Sequence, residues 1–172
     1  EEQFNYVRAI IRGSYKPVKG MELAVMYSPQ YDDEFGMNFR KQYEFYNYGD
    51  VVPSLYPTRN SLEQDNKRTL NNNINAIATY EKTFGDHFIK GLVGYELITH
   101  DSRNFMTSRD NFPLQDYQQL DAGSRDNMQN EGSANQGGLQ SYFARINYDF
   151  KGKYLLEANV RRDGSSRFAV GE

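Results

Sequence analysis

The sequence predicts an all-β fold in which about six antiparallel up-and-down strands form a segment of a large transmembrane β-barrel. Apolar and polar residues alternate with a period of two along six long segments, as in strands with one apolar face. The connections are alternately short and long, which is typical of barrels with tight turns at one end and long loops at the other. Aromatic residues flank the short turns on the apolar face, where they would form a girdle at a membrane interface.

The first predicted hairpin reverses at residues 16–20, where Pro17 and Gly20 favour a tight turn. Strands of alternating polarity lie on both sides of this turn. Since one face of each strand is apolar, that face is expected to contact lipid. The predicted apolar face contains Val7, Ala9, Ile11, Gly13, Tyr15, Met21, Leu23, Val25 and Tyr27.

Two further hairpins repeat the pattern, with turns at residues 85–87 and 150–153. All the segments are about 10 or more residues long, whereas strands of soluble sheets usually have about 5–6 residues. Their apolar faces contain Leu70, Ile74, Ala76, Ala78 and Tyr80, then Ile89, Gly91, Val93, Tyr95 and Leu97, then Tyr142, Ala144, Ile146, Tyr148, Phe150, Tyr154, Leu156, Ala158 and Val160. The predicted girdle contains Tyr15, Tyr80, Phe84, Tyr148, Phe150 and Tyr154.

The long connections near residues 44–67 and 108–138 are rich in Asn, Gln, Asp, Gly and Ser, so they are expected to be polar loops. The stretch NEGSANQGG in the second connection is expected to be flexible. An aromatic cluster lies in and before the first connection, and aromatic rings stack on sugar faces. These residues are the candidates for contact with a substrate or a lid, with packing within the loop or the girdle as the alternative: Tyr43, Phe45, Tyr46, Tyr48 and Tyr56.

Charged residues of both signs occupy the polar face of the predicted strands. In a barrel this face lines the lumen, and a mixture of signs suits an interior filled by a plug better than a path for one kind of ion. The predicted lumen-facing and plug-facing residues are Arg8, Arg12, Lys90, Glu96, Arg145, Glu157 and Arg161.

Composition and spacing exclude several other functions. The formal net charge is −3, so nothing suggests a nucleic-acid partner, and the absence of Cys excludes a thiolate metal site or a cysteine nucleophile. His87 and His100 are predicted at opposite ends of one strand, so they cannot share a metal ion. The acidic residues 32–34 could contribute to a calcium site, but neighbouring residues in a strand point to alternate faces. We therefore predict no enzyme activity, no cofactor and no metal.

Two alternative folds remain open on this pattern. The mean hydropathy is −0.84, a value of very polar soluble proteins, and alternating strands with polar loops also describe a soluble β-sandwich that binds carbohydrate. A small self-contained barrel of about eight strands is the other alternative. The N-terminal residues have no apolar core of a signal peptide, and no apolar run has the length of a membrane helix.

The stretch SYFARINYDFKGKYLLEANVRRDGSSRF, residues 141–168, resembles a segment of the SusC/RagA class of TonB-dependent outer-membrane transporters of Bacteroidetes. The stretch TYEKTFGDHFIKGLVGYE, residues 79–96, is similar to a hairpin of the same class. Ala144 departs from the pattern, since the class commonly has Gly there. The most specific part of the resemblance contains Arg161, Asp163, Gly164, Ser165, Ser166, Arg167 and Phe168.

The resemblance implies a barrel of about 22 strands that encloses a plug, lies in the outer membrane and contacts its lipid. It also implies energy delivered by TonB through the plug, and a SusD-like lipoprotein lid that captures oligosaccharides or peptides. Residues 1–172 are then expected to be a partial barrel domain of three hairpins, without the plug domain and the remaining strands. The arginines of the motif are expected to pair with Asp163 and with lumen carboxylates, which would hold the barrel rim.

Overall fold

The computed structural model describes residues 1–49 and 52–167. Within this part of the chain, secondary structure consists of nine strands and one turn of 3₁₀ helix at Leu120–Ala122. Phe168 of the predicted motif lies outside the described residues. The strands are β1 (Glu2–Arg8), β2 (Ile11–Tyr15), β3 (Met21–Arg40), β4 (Tyr43–Phe45), β5 (Ser54–Tyr56), β6 (Ser61–Phe84), β7 (His87–Asp110), β8 (Gln129–Phe150) and β9 (Tyr154–Ser165).

Seven of these strands form one sheet in the order β1-β3-β6-β7-β8-β9, with β2 also paired to β3. The remaining two, β4 and β5, form a separate two-stranded sheet. Long strands that follow one another in sequence are neighbours in the large sheet, as expected when tight turns join antiparallel strands. The predicted fold class, all-β with antiparallel up-and-down strands, is therefore confirmed.

The first predicted strand is divided into β1 and β2. Both pair with β3, and the interruption at residues 9–10 lies opposite Pro29, whose carbonyl oxygen accepts a hydrogen bond from the Ala9 N–H at 3.1 Å. Proline has no N–H and cannot return a hydrogen bond to the neighbouring strand, so the ladder breaks at this position. The alternation of apolar residues does not predict such a break, because it depends on side-chain polarity and not on which main-chain N–H groups can donate.

The strand register determines which residues share a face of the sheet. Between β8 and β9, Ala144 lies opposite Val160, whereas Arg145 lies opposite Asn159. Directly opposed residues point to the same side of a sheet, so apolar positions align with apolar ones and polar with polar over most of this pair. In the pairing of β2 with β3, apolar residues are likewise opposed, as Tyr15 and Leu23 are, but Arg12 lies opposite the apolar Met26.

Several strands extend into segments that the sequence predicts as loops. β6 already begins at Ser61, and β8 begins at Gln129, so the stretch NEGSANQGG is strand and the expectation of a flexible loop is wrong. Main-chain pairing needs no apolar side chain, and polar contacts such as those of Ser133 with Asn104 join the neighbouring strands here. Period-two alternation of apolar residues therefore underestimates the length of these strands.

The described residues divide into two compact units. The first contains residues 1–6, 32–49, 52–68 and 102–134, and the second contains residues 7–31, 69–101 and 135–167. In the first unit, Leu62 and Phe112 are buried apolar residues. The second unit contains Ser141, which is fully buried, while much of its apolar sheet face is exposed.

The exposed apolar face does not fit the β-sandwich alternative. In a sandwich the apolar face of each sheet packs against the other sheet, yet Val7, Val93 and Val160 are each more than half exposed. Leu62 and Phe112 are the buried apolar residues among the described residues, and both lie in the first unit.

Within the described residues, no helix has the length and apolar character needed to cross a membrane.

We expect this chain, expressed alone, to aggregate in buffer without detergent. β1 and β9 are the outer strands of the sheet, and unpaired N–H and C=O groups at such edges promote association with other chains. The exposed apolar face is a second surface that promotes aggregation in water. Size-exclusion chromatography with and without detergent measures this, and the same chain in detergent is the control. A monodisperse monomer that melts cooperatively in plain buffer would contradict the assignment of the apolar face to lipid.

Candidate substrate-contact and lumen-face sites

The predicted aromatic cluster lies on and beside the short hairpin of β4 and β5 in the first unit. Tyr43 lies opposite Tyr56, and Phe45 lies opposite Ser54. The Phe45 and Tyr56 rings meet edge to face with centroids 6.5 Å apart. Since opposed residues and alternate residues share one face of a strand pair, the hairpin brings Tyr43, Phe45 and Tyr56 together on one face.

All five predicted aromatic side chains are exposed. Tyr43 is 57% and Tyr56 is 72% exposed, and Tyr48 is fully exposed. The Tyr46 hydroxyl lies 3.4 Å from Oε2 of Glu44, on the residue that follows Tyr43. Packing within the loop therefore leaves the rings uncovered, and the flat faces remain available to a ligand or a partner.

The hairpin is attached to the loop that follows β7 by reciprocal hydrogen bonds between two glutamines. The Gln42 main-chain N–H donates to Oε1 of Gln115 at 2.6 Å, and Nε2 of Gln115 donates to the Gln42 carbonyl at 3.1 Å. Nε2 of Gln42 also donates to the carbonyls of Pro57 and Thr58 at 3.1 and 2.7 Å. Sequence reasoning missed these glutamines, because a polar residue in a polar loop gives no signal until its partner is known.

A second attachment of the same loop is buried. Asn60 and Phe112 are each 4% exposed. Nδ2 of Asn60 donates to the Phe112 carbonyl at 2.9 Å, and its Oδ1 accepts from the Phe112 N–H at 2.6 Å. The Phe112 ring packs edge to face on Phe39 at 5.3 Å. One asparagine thus satisfies both main-chain polar groups of a buried loop residue, as a neighbouring strand would.

Asp110, at the end of β7, joins two further side chains of the first unit. Its Oδ2 accepts hydrogen bonds from Nη1 of Arg59 and Nδ2 of Asn127, both at 3.0 Å. Burial raises the pKa of the Asp110 carboxyl, but the hydrogen bonds from Asn127 and Arg59 and the charge of Arg59 outweigh burial, so the pKa is lowered from its usual value. The resulting stabilisation is present above the ordinary carboxyl pKa and is lost as the pH falls through the lowered one.

The predicted lumen-face charges form local polar contacts in the second unit. Nε of Arg8 donates to Oε1 of Gln30 at 3.0 Å, and Nζ of Lys90 lies 3.3 Å from Oε2 of Glu81. Arg12 lies opposite Met26 in the register of β2 with β3. Arg8 and Lys90 therefore have polar partners, whereas the residue opposite Arg12 is apolar.

Arg145 and Glu157 are joined through an asparagine and form no direct ion pair in the described residues. Nε of Arg145 donates to Oδ1 of Asn159 at 2.7 Å. Nδ2 of Asn159 donates to Oε1 of Glu157 at 2.8 Å, and Nδ2 of Asn147 donates to Oε2 of the same carboxylate at 2.6 Å. These four residues form one polar row across β8 and β9.

Arg161 is the centre of the most connected group on this face. Its Nε donates to Oδ1 of Asp163 at 2.8 Å, and its Nη2 donates to Oε2 of Glu96 at 3.1 Å and to Oγ of Ser141 at 3.0 Å. The guanidinium carbon also lies 5.8 Å from the centre of the Phe143 ring. The first arginine of the sequence motif thus links β7, β8 and β9.

Four other motif residues, Gly164, Ser165, Ser166 and Arg167, lie at the end of β9 or directly after it. The Ser166 N–H donates to the Gly138 carbonyl at 2.9 Å, and the Gly138 N–H donates to Oγ of Ser166 at 2.8 Å. Gly164 lies opposite Gln140, and Ser165 lies opposite Leu139, while the Arg167 N–H donates to Oγ of Ser165 at 3.3 Å. The motif therefore continues the strand and then closes it with side-chain hydrogen bonds.

The histidines occupy separate structural positions. Nδ1 of His87 lies 2.6 Å from the Tyr148 hydroxyl, and the His87 ring stacks on Phe84 and approaches Phe150 at 5.6 and 4.8 Å between centroids. Nδ1 of His100 lies 2.7 Å from Oδ1 of Asn71. Among the described residues, no three His, Cys, Asp or Glu side chains gather into a group that could hold a metal ion.

Long paired strands with one exposed apolar face and one face of hydrogen-bonded charges define the class of structure: a segment of a transmembrane β-barrel. No family model matches the chain. Two TonB-dependent receptors of Formosa agariphila, P39 and P3, are 36% and 33% identical to it in alignments 95 and 93 residues long, and these alignments cover 52% and 53% of this chain. The chain spans 9% of the length of each of these relatives.

Solved structures of RagAB share the fold. The RagAB peptide transporter matches 98% of the chain with a TM-score of 0.80 and 22% sequence identity, over 18% of its own length. The RagAB peptide importer in the open-open state matches 99% of the chain with a TM-score of 0.79 and 22% identity, over 19% of its own length. The resemblance read from the sequence is thereby confirmed: the chain is similar in sequence to TonB-dependent receptors and shares the fold of RagAB.

Proposed function

We propose that the chain is part of an outer-membrane active transporter that imports a large nutrient, an oligosaccharide or a peptide, with energy delivered by TonB. The observation that carries this proposal is the match of nearly the whole chain to a RagAB transporter, with a TM-score of 0.80. The sequence similarity to two TonB-dependent receptors supports the same conclusion. The apolar face then contacts outer-membrane lipid, and a SusD-like lipoprotein is the proposed partner at the loops.

The charged face is proposed to line the lumen and to hold a plug formed by another part of the same receptor. Its residues already bond one another within the sheet, as in the row of Arg145, Asn159 and Glu157. Both signs of charge are present, so the face can accept donors and acceptors from a plug surface. A face built only to attract one kind of ion would carry one sign.

The exposed aromatic hairpin is proposed to contact the substrate or the lipoprotein lid. Its rings are uncovered, and Gln42 and Gln115 attach it to a neighbouring loop, so it presents aromatic faces from a supported position. Supported loops at a barrel mouth are usual places for recognition, because the scaffold positions them while their side chains remain accessible.

The experiment compares two double variants of the intact receptor in cells that depend on it for growth on the imported nutrient. We expect Tyr46→Ala with Tyr48→Ala to slow growth on that nutrient without increasing sensitivity to bulky antibiotics. We expect Arg145→Ala with Glu157→Ala to increase antibiotic sensitivity, because loss of the polar row loosens the plug. Deletion of TonB is the control that abolishes energised uptake. Normal uptake by the tyrosine variant would remove the hairpin from substrate contact, and TonB-independent uptake would contradict the proposed transporter.

A further inference from the structure

A groove of about 510 Å³ crosses the apolar face of the sheet in the second unit. It is lined by residues of β3, β6, β7, β8 and β9, among them Ala78, Gly91 and Ala158. A Cβ at Gly91 would come no nearer than 4.0 Å to any atom beyond its chain neighbours, so the space above the main chain of β7 is open. Arg145 and Asn159 also border the groove, but their side chains bond each other on the polar face.

An aromatic cluster centred on His87 lies on the same face, nearer the short turns. His87 precedes Gly91 by four residues in β7, so the two share a face and lie about 13 Å apart at a rise of about 3.3 Å per residue. The His87 ring stacks on Phe84 at 5.6 Å and lies 4.8 Å from the Phe150 ring, which stacks on Tyr154 at 6.3 Å. The groove and the cluster are therefore successive parts of one surface.

The His87 ring has one nitrogen available to an external partner. Nδ1 lies 2.6 Å from the Tyr148 hydroxyl, whereas no hydrogen bond to Nε2 is found within residues 1–49 and 52–167. When the Tyr148 hydroxyl donates to Nδ1, the ring proton is on Nε2. His87 is then a hydrogen-bond donor at the edge of an aromatic surface.

The turn between β8 and β9 adds a positive charge at this end of the sheet. Lys153 is exposed, and its side chain has no hydrogen bond or ion pair in the described part of the chain. The carboxylates of the two adjoining turns already have partners: Oδ2 of Asp86 lies 3.1 Å from Nζ of Lys151, and Oδ1 of Asp149 accepts from the Gly152 N–H at 2.7 Å. This end of the apolar face therefore suits an anion.

These features together match a glycerophospholipid. Its phosphodiester is an anion at the boundary of water and hydrocarbon, and its acyl chains extend from there into the apolar phase. In outer-membrane barrels the short turns lie at the periplasmic end, where the leaflet consists of phospholipids, and aromatic rings lie at the level of the headgroups. A free phosphate would leave the groove unexplained, and an apolar protein surface would leave Nε2 of His87 and Lys153 unexplained.

We propose that one phospholipid of the periplasmic leaflet binds this surface, with its phosphate on Nε2 of His87 and close to Lys153, and one acyl chain in the groove over Gly91. The inference goes beyond the proposed function and rests on it in one respect, that the apolar face lies in the outer membrane. It adds a lipid site of defined headgroup chemistry to a face that otherwise contacts lipid without selection.

The test measures photo-crosslinking of the purified intact receptor, in detergent, by a phosphatidylglycerol that carries a diazirine in one acyl chain. Mass spectrometry of the digested receptor locates the adducts, which we expect on the groove residues of β6, β7 and β8. The unlabelled competitors are phosphatidylglycerol, diacylglycerol and lipid A. We expect phosphatidylglycerol to compete about tenfold better than diacylglycerol, because only the phosphate can accept a hydrogen bond from His87 and attract Lys153.

Three variants separate the headgroup contact from the acyl-chain contact. His87→Phe keeps a ring in the stack but removes both nitrogens, so it should weaken competition by phosphatidylglycerol about tenfold and leave diacylglycerol within about twofold. Gly91→Leu fills the groove and should weaken both lipids, and Ala158→Leu fills it from β9 as a second measurement. The matched control is Gly13→Leu, which adds the same side chain to the same face outside the groove lining, where a Cβ meets no atom within 4 Å.

Equal competition by phosphatidylglycerol and diacylglycerol, stronger competition by lipid A, or unchanged competition with His87→Phe would overturn the inference. Equal losses with Gly13→Leu and with the two groove variants would overturn it too, because added bulk anywhere on the apolar face would then explain the effect. If the lipid site fails while uptake still requires TonB, the proposed transporter function stands; if TonB-dependent uptake is absent as well, the proposed function fails with the inference.

Discussion

Val93→Arg should destabilise the intact receptor in a lipid bilayer, lowering its free energy of unfolding by about 2–4 kcal/mol, the cost of an arginine on the lipid face near the bilayer midplane. The side chain is 59% exposed and lies on the apolar face. It borders a groove of about 510 Å³ whose lining also contains Ala144, Ile146 and Val160. An arginine there would have to carry its charge into hydrocarbon, since none of the described residues that line this groove is an Asp or Glu that could compensate it.

Asn147→Arg on the opposite face is the matched control. Asn147 lies opposite Glu157 and donates to its Oε2, so an arginine at this position would meet a carboxylate. We expect little loss of stability from this change. Urea unfolding of each variant in liposomes, followed by the β-sheet signal in far-UV circular dichroism, measures its free energy of unfolding. Equal destabilisation by the two substitutions would show that the faces have been assigned the wrong way or that neither contacts lipid.

Asn60→Ala should release the loop that follows β7. The substitution leaves the buried N–H and C=O of Phe112 without the two hydrogen bonds from Asn60, and each unpaired buried group costs about 1–3 kcal/mol. The contact of the Phe112 ring with Phe39 should weaken with it. Hydrogen exchange of the Phe112 amide and limited proteolysis of residues 111–128 measure the release in the intact receptor.

Asn60→Asp is the graded control for this prediction. A carboxylate can still accept from the Phe112 N–H, but it has no donor for the Phe112 carbonyl, so protection should be intermediate. Gln118→Ala, which removes a 3.4 Å hydrogen bond to the Gln115 carbonyl in the same loop, should have little effect. Unchanged protection in Asn60→Ala would mean that the reciprocal bonds do not hold this loop.

The hairpins were predictable because their information is local. A period of two predicts which residues share a face of the sheet, and a turn such as that of Pro17 and Gly20 indicates where the chain reverses. Once a tight turn joins two strands, the register follows from the turn, which is why Ala144 and Val160 are opposed as their polarity suggests. The aromatic residues of the loop were also identifiable, because their clustering is visible in the sequence.

The attachments of the loops were not predictable from the sequence. Gln42 and Gln115 are 73 residues apart, and Asn60 and Phe112 are 52 apart, so neither pair has a local pattern. The β4–β5 hairpin was missed for a similar reason, since strands of three residues are too short to show alternation. The asparagine that joins Arg145 to Glu157 also emerged only from the tertiary structure.

By itself, the sequence determined the class of fold, the hairpins and the two faces of the sheet, because each depends on side-chain alternation between neighbours along the chain. Only the tertiary structure decided where the strands end and how the loops are held. Those features depend on main-chain hydrogen bonds and on polar side chains that are far apart in sequence. The sequence does not distinguish an Asn or Gln that is exposed to solvent from one that is hydrogen-bonded within the protein. The pocket beside Tyr43 and Tyr56 belongs to this second kind, since a pocket exists only after the chain has folded.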